Sequence, residues 1–225
     1  MANRVLLLLR VRPLIPPNHL QPPSLSRFAA AMSQDAPDDL RYVQYDSDRE
    51  NEYVAAMRQL ISKDLSEPYS IYVYRYFLYQ WGDLCFLAMN DKDEMVGVVV
   101  SKLEPHRSGP LRGYIAMLAV SEGYRGRGIA TKLVRMAIDA MIERDADEIV
   151  LETEITNTAA MKLYERLGFL RSKQLHRYYL SGNSAYRLVL YLKEGTGSIR
   201  PPFESYGPPH PAHPSVATVT QGNGS

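Results

Sequence analysis

The sequence predicts an α/β domain built on a mixed sheet, and three observations predict it. Strand-like apolar runs and helical periodicities follow one another in the order β, αα, βββ, α, β, α, ββ between residues 40 and 194. Prolines gather outside that stretch: five lie in residues 1–34 and six after residue 195, against three between 40 and 194. Within it a loop bearing glycines at 126 and 128 joins a strand to a helix, a junction suited to anion binding.

The elements follow in order. Leu40–Tyr45 reads as a short strand, and Tyr53, Met57, Leu60 and Ile61 recur at i, i+4, i+7, i+8, which marks an amphipathic helix. Ser66-Glu67-Pro68 has the order of a helix start and opens a segment with five tyrosines, at 69, 72, 74, 76 and 79. Cys85–Met89 and Met95–Leu103 flank the turn Asp91-Lys92-Asp93-Glu94 as an antiparallel hairpin, and Gly113–Val120 is a third strand. A helix over Ile129–Arg144 presents Leu133, Ala137, Ala140 and Met141 on one face. A buried strand Glu148–Thr153 precedes a helix over Asn157–Leu167, which Gly168 stops. Two last strands, Phe169–Leu180 and Tyr186–Leu192, are joined through Ser181-Gly182-Asn183-Ser184.

Composition narrows the function classes. The 225 residues carry 26 Lys plus Arg against 25 Asp plus Glu, so no whole-molecule field attracts nucleic acid or anionic lipid, and function belongs to a local site. Cys85 is the one cysteine, which removes an internal disulfide framework and a multi-Cys zinc site. The five histidines are scattered, so no metal is assigned. Val5–Leu9 is far too short an apolar run to span a membrane, and a soluble chain is expected. Residues 1–39 form an extension whose first 34 residues hold four arginines and no acid. This is either an organelle transit peptide or a disordered extension upstream of a start at Met32; the five prolines oppose the amphipathic helix a transit peptide needs, and a cytoplasmic location follows from the second reading. Residues 40–194 are the domain, and 195–225 form a Pro/Gly-rich tail expected to be disordered.

The loop Ser121-Glu122-Gly123-Tyr124-Arg125-Gly126-Arg127-Gly128-Ile129-Ala130 carries the chemistry. Its glycines let the backbone approach a ligand, and the amides of the first helical turn point outward at the positive end of the helix dipole. That combination holds a pyrophosphate. Arg125 and Arg127 add charge, either as phosphate contacts or as solvated loop residues. A Walker loop is absent, and a dinucleotide fingerprint fails because Thr131 stands where its third glycine belongs. The antiparallel run before the loop also opposes a dinucleotide fold, although Glu148 lies twenty residues after Gly128.

Arg-Gly-Arg-Gly-Ile-Ala, after a strand ending Met117-Leu118-Ala119-Val120, resembles the R/Q-x-x-G-x-G/A signature of the GCN5-related N-acetyltransferase (GNAT) superfamily. The segment LETEITNTAAMKLYERLGF strengthens the resemblance, with an Asn at the start of the next helix and a Tyr two turns along it. DLSEPYSIYVYRYF, 64–77, and RYYL, 177–180, look like the catalytic subunits of NatC-type N-terminal acetyltransferases. The resemblance covers about 40–192, and His176 stands where an aromatic residue is expected. It implies a GNAT fold: a mixed, mostly antiparallel sheet splayed between its middle strands and flanked by about four helices. It implies acetyl-CoA as cosubstrate, with no metal, held by Leu118, Val120, Arg125, Gly126, Arg127, Gly128, Ala130, Thr131 and Asn157. Leu65, Glu67 and Tyr69 would line the site for the first two peptide residues, beside an aromatic wall of Tyr114, Tyr178 and Tyr179. The substrates implied are nascent chains starting with Met and a large apolar residue. The partners implied are a large and a small auxiliary subunit at the ribosome, with no direct reading of nucleic acid and no membrane.

Acetyl transfer needs a neutral amine, a stabilised oxyanion and a proton for the departing thiolate. An α-amine with a pKa of about 8 is already partly neutral, so a base need only complete its deprotonation, directly or through water. Glu152 and Glu154 project from one side of the buried strand at period two, with Glu148 beginning that face. A buried strand carboxylate either pairs with a cation or does chemistry; the resemblance makes Glu152 the base, with Glu154 as the fallback. Asn157 and Tyr164 lie seven residues apart on one side of their helix. Asn157 suits a helix cap as well as a pantetheine contact, and Tyr164 suits the core as well as the general-acid role that the phenol's chemistry supports. A backbone N–H near Leu118 is the expected oxyanion donor. The competing functions are acetylation of a Lys side chain or small amine, and a non-catalytic acyl-CoA-binding scaffold.

Overall fold

The structure, a computed structural model, describes residues 40–62 and 69–196. In chain order the elements are β1 Arg41–Gln44, α1 Glu50–Ser62, α2 Ile71–Trp81, β2 Phe86–Met89, β3 Met95–Pro105, β4 Leu111–Val120, α3 Ile129–Glu143, β5 Glu148–Glu154, α4 Thr158–Arg166, β6 Leu170–Leu175 and β7 Ala185–Tyr191. They form one seven-stranded sheet in the order β1-β2-β3-β4-β5-β7-β6. Every neighbouring pair is antiparallel except β4 and β5. This is the mixed, mostly antiparallel sheet that the sequence predicts.

Two elements differ from expectation. The second helix starts at Ile71 behind Ser70, while Ser66-Glu67-Pro68 lies outside the described residues. The strand drawn over Phe169–Leu180 ends at Leu175, because Arg177 turns into the left-handed region at φ 50°. Bonds from Tyr179 N to Asn183 O and from Gly182 N to Tyr179 O then hold 177–184 as a loop.

Strand alternation sorts the core into two layers. Val99, Ile115, Leu118, Val120, Ile149 and Leu151 pack with α3 and α4 on one face. Val98, Val100, Ala116, Met117 and Ala119 pack with α1 and α2 on the other. Helices on both faces explain why β3 and β4 read as continuous apolar runs rather than alternating ones.

Within the β3–β4 pair the alternation slips in β4. Val100 pairs with Met117 and Ser101 with Ile115, so Ala116 is an extra residue, and it joins Met117 on the α1/α2 face. Just before this bulge β4 loses its other neighbour. Its pairing with β5 is confined to Arg112–Glu148, Gly113–Ile149 and Tyr114–Val150. Beyond Tyr114 the two strands part, leaving a V-shaped split between 115–120 and 151–154. Its closed base is packed tightly: a Cβ on Gly113 would run into Met141 Sδ and come within 3.0 Å of Ile149 Cγ1.

Candidate active site

The loop after β4 is built to offer backbone donors. A 3-10 turn over Glu122–Tyr124 leads to Gly126 and Gly128, both at φ 80°, a conformation that glycine adopts without strain. Gly128 is the cap of α3 and has no side chain to bond the first-turn amides, while its own carbonyl accepts from Lys132 N at 3.0 Å. The amides of Ile129, Ala130 and Thr131 therefore face outward at the positive end of the dipole. Arg125 Nε donates to Val120 O at 3.1 Å, which ties the loop to the end of β4, and the Arg127 guanidinium lies 5.2 Å from the centre of the Tyr124 ring. Tyr124 is braced in turn by Asn90 Nδ2 at 3.1 Å. Buried Asn90 also closes the β2–β3 turn by accepting from the amides of Lys92 and Glu94.

The two proton-transfer candidates stand on opposite faces of the sheet. Leu151 packs with α3 and α4, so alternation sends Glu152 to the other face, where Tyr114 meets it. Glu152 is 1% exposed, and both of its oxygens are held. Oε1 accepts from Arg187 Nε at 2.6 Å and Oε2 from the Tyr114 hydroxyl at 2.7 Å. Glu152 is thus an ion-paired carboxylate that also borders the split, two residues past its closed end. Glu148 is occupied by Arg112. Glu154, the fallback, is committed to the neighbouring loop through Thr156 Oγ1 at 2.7 Å and Asn183 Nδ2 at 2.8 Å.

Tyr164 lies on the α3/α4 face in the same buried cluster as Leu118, Val120 and Leu151, edge-on to Phe169 at 5.4 Å. It is 0% exposed, and its hydroxyl has no hydrogen-bond partner among the described residues. A buried hydroxyl without a partner is costly, and this one shares its cluster with Leu118 and Leu151 from the two sides of the split. Burial pushes its phenol well above the usual value, so it stays a donor. Asn157 is a cap, as its position suggests: Oδ1 accepts from Ala160 N at 3.1 Å.

The aromatic wall assembles around Glu152. Burial, and then Glu152 itself, raises the Tyr114 phenol; burial, Tyr178 and Glu152 raise that of Tyr179. Tyr69 is close enough to act on both. Tyr178 and Tyr179 meet edge to face at 5.2 Å. Leu65 and Glu67 lie outside the described residues. His176 is exposed, so its departure from the family pattern disturbs no packed position.

Two residues escaped the sequence reading. Arg187 is 4% exposed in β7, directly across from Glu152; a lone arginine in the apolar run Ala185–Tyr191 was the available signal. Thr153 faces the Tyr164 side, with a buried Oγ1 that has no partner among the described residues. Among those residues, no group of three His, Cys, Asp or Glu side chains is placed to hold a metal. No helix there is long and apolar enough to cross a membrane.

A model of the acetyltransferase (GNAT) family matches residues 54–169, a span that contains the glycine loop after β4, Glu152 and Tyr164. The chain belongs to the GNAT family. Within that family it is 57% identical over 156 residues to N-alpha-acetyltransferase 30 of Xenopus laevis, covering 69% of this chain and 56% of that protein. It is also 57% identical over 141 residues to N-alpha-acetyltransferase 30 of Schizosaccharomyces pombe, covering 63% of this chain and 93% of that protein. The chain thus spans little more than half the length of the frog relative and nearly all of the yeast one. Among solved structures, a chain of the NatC complex bound to Gag peptide and CoA is 50% identical, with a TM-score of 0.66 over 69% of this chain and 99% of that one. The splayed sheet and its flanking helices are therefore the GNAT fold.

Proposed function

We propose that this GNAT protein is the catalytic subunit of a NatC-type N-terminal acetyltransferase, moving acetyl from acetyl-CoA to the α-amine of an initiator Met followed by a large apolar residue. One observation carries the reading: Glu152 borders the β4–β5 split on one face of the sheet, while on the other face the Tyr164 hydroxyl, in the buried cluster that holds Leu118 and Leu151 from the two sides of that split, has no hydrogen-bond partner among the described residues, and the glycine loop follows β4. The identity to N-alpha-acetyltransferases and the CoA-bound structural relative support it. Residues 40–194 would be the catalytic domain.

The chemistry follows from the two faces. Loop amides from 126 to 131, with Arg125 and Arg127 beside them, hold the pyrophosphate. Leu118 and Val120 line the path of the acyl arm, and Asn157 keeps its Nδ2 donors for the pantetheine amide. Past Tyr114 the β4 edge has no β5 partner, so alternate backbone groups point into the split, and the amide near Leu118 receives the carbonyl charge as it develops. The amine enters from the tyrosine wall. As its nitrogen bonds the acetyl carbon, Glu152 takes the proton the nitrogen sheds, directly or through water. When the carbon–sulfur bond breaks, Tyr164 gives a proton to the thiolate, and the two transfers balance. Leu65, Glu67 and Tyr69, with Tyr114, Tyr178 and Tyr179, would hold the first two peptide residues. The proposed partners are a large and a small auxiliary subunit acting on nascent chains at the ribosome, in the cytoplasm.

The test is a rate comparison, with the chain assembled with its auxiliary subunits, across peptides that differ only at the second residue. A strong preference for Leu, Ile or Phe there supports the reading, and a flat profile overturns it. Full activity in an assembly carrying Glu152→Gln and Tyr164→Phe would instead make the chain an acyl-CoA-binding scaffold.

A further inference from the structure

We infer that Arg187 is a positioning residue for acetyl transfer, fixing the orientation of the Glu152 carboxylate at the split; this rests on the reading of Glu152 as the base. The observation is a buried three-part clamp. Arg187 Nε reaches Oε1 at 2.6 Å from the β7 side, and the Tyr114 hydroxyl reaches Oε2 at 2.7 Å from the β4 side. Glu152 and Arg187 are 1% and 4% exposed, and strand register places them directly opposite each other. A planar carboxylate gripped at both oxygens has lost its rotational freedom. Each oxygen keeps a second lone pair, so the group can still take a proton from an amine or a water in the split.

The other groups near this pair cannot replace the cation. From β4, Arg112 is paired with Glu148. From the β3–β4 loop, His106 bonds Ser108 Oγ at 2.6 Å, and burial together with Arg112 and Arg187 pushes it down to about 4, so it is neutral at working pH. Tyr114 and Tyr179, whose phenols are raised by burial and by Glu152, stay neutral beside it, and Glu154 adds a like charge from β5 itself. Without Arg187 the carboxylate would sit buried among phenols and a second acid, conditions that favour its protonated form.

The experiment measures kcat against pH for the assembled complex at saturating acetyl-CoA and Met-Leu peptide, where the profile reports groups in the ternary complex. Arg187→Met is compared with Arg187→Gln, which keeps an N–H for Oε1 but no charge, and with Arg187→Lys, which keeps the charge. Coenzyme A binding confirms that each variant is folded. The two neutral variants are expected to move the acid limb up by about 1–3 pH units. They should lower kcat at pH 7 about tenfold or more, with KM for acetyl-CoA changed less than about twofold, while Arg187→Lys keeps the wild-type limb. An unmoved limb in either folded neutral variant, alongside an inactive Glu152→Gln, overturns the role of Arg187 alone. Wild-type kcat in Glu152→Gln overturns the base assignment on which it rests.

Discussion

Replacing Tyr164 with Phe separates a structural tyrosine from a catalytic one, because the two roles predict opposite signs. The ring is fully buried against Phe169, and Phe keeps that packing. The hydroxyl has no partner among the described residues, so its removal breaks no hydrogen bond with them and relieves a buried, unsatisfied polar group, a relief of about 1–2 kcal/mol. In a domain of this size each kcal/mol moves Tm by about 2–4 °C, so the ligand-free variant should melt at the wild-type temperature or a few degrees above it. The rate should move the other way, falling on the order of 10²–10⁴ with the loss of the proton donor to the thiolate. Thermal melts without coenzyme A and turnover under saturating substrates give the two numbers. A Tm several degrees lower would mean that the hydroxyl has a structural partner. An unchanged kcat would remove Tyr164 from the chemistry.

Other outcomes follow from single contacts. Gly128→Ala meets nothing within 4 Å but places a side chain at φ 80°, which costs about 1–2 kcal/mol. The added methyl beside the outward-facing amides of the first turn of α3 should weaken coenzyme A by about tenfold or more, read by calorimetry; wild-type affinity would remove the loop from binding. His106 has its folded value depressed to about 4 from 6.5, so its contribution to stability is intact above 6.5 and is lost as pH falls from 6.5 through about 4. Denaturant melts between pH 7 and 4 should show a shallower decline in His106→Gln. Burial pushes the Cys85 thiol up to about 12, so iodoacetamide should leave the native protein unmodified while labelling it fully in denaturant.

The local features written in consecutive residues were legible: the glycines at 126 and 128, Asn157 as a cap, and the helical spacing from Asn157 to Tyr164. Features created by register between distant strands were not. The splay between the middle strands was expected only through the family resemblance, because it depends on where β4 pairing with β5 stops, and the bulge at Ala116 appears only against β3. Arg187 lies 35 residues from Glu152 and meets it only because β7 runs antiparallel to β5. The overrun of the strand after Phe169 has a local cause, since nothing in the run to Leu180 announces the left-handed turn at Arg177. The pairing of Glu152, left open between a cation and chemistry, proves to combine an ion pair with a place at the split.

The account turns on acetyl passing across the β4–β5 split to an α-amine. Its most direct test is a single turnover of the assembled complex with isotope-labelled acetyl-CoA and a Met-Leu peptide that also contains a Lys, read by fragment mass spectrometry. The account predicts label on the α-nitrogen alone and none on the enzyme. Label on the Lys side chain, or no transfer from bound acetyl-CoA, would contradict it.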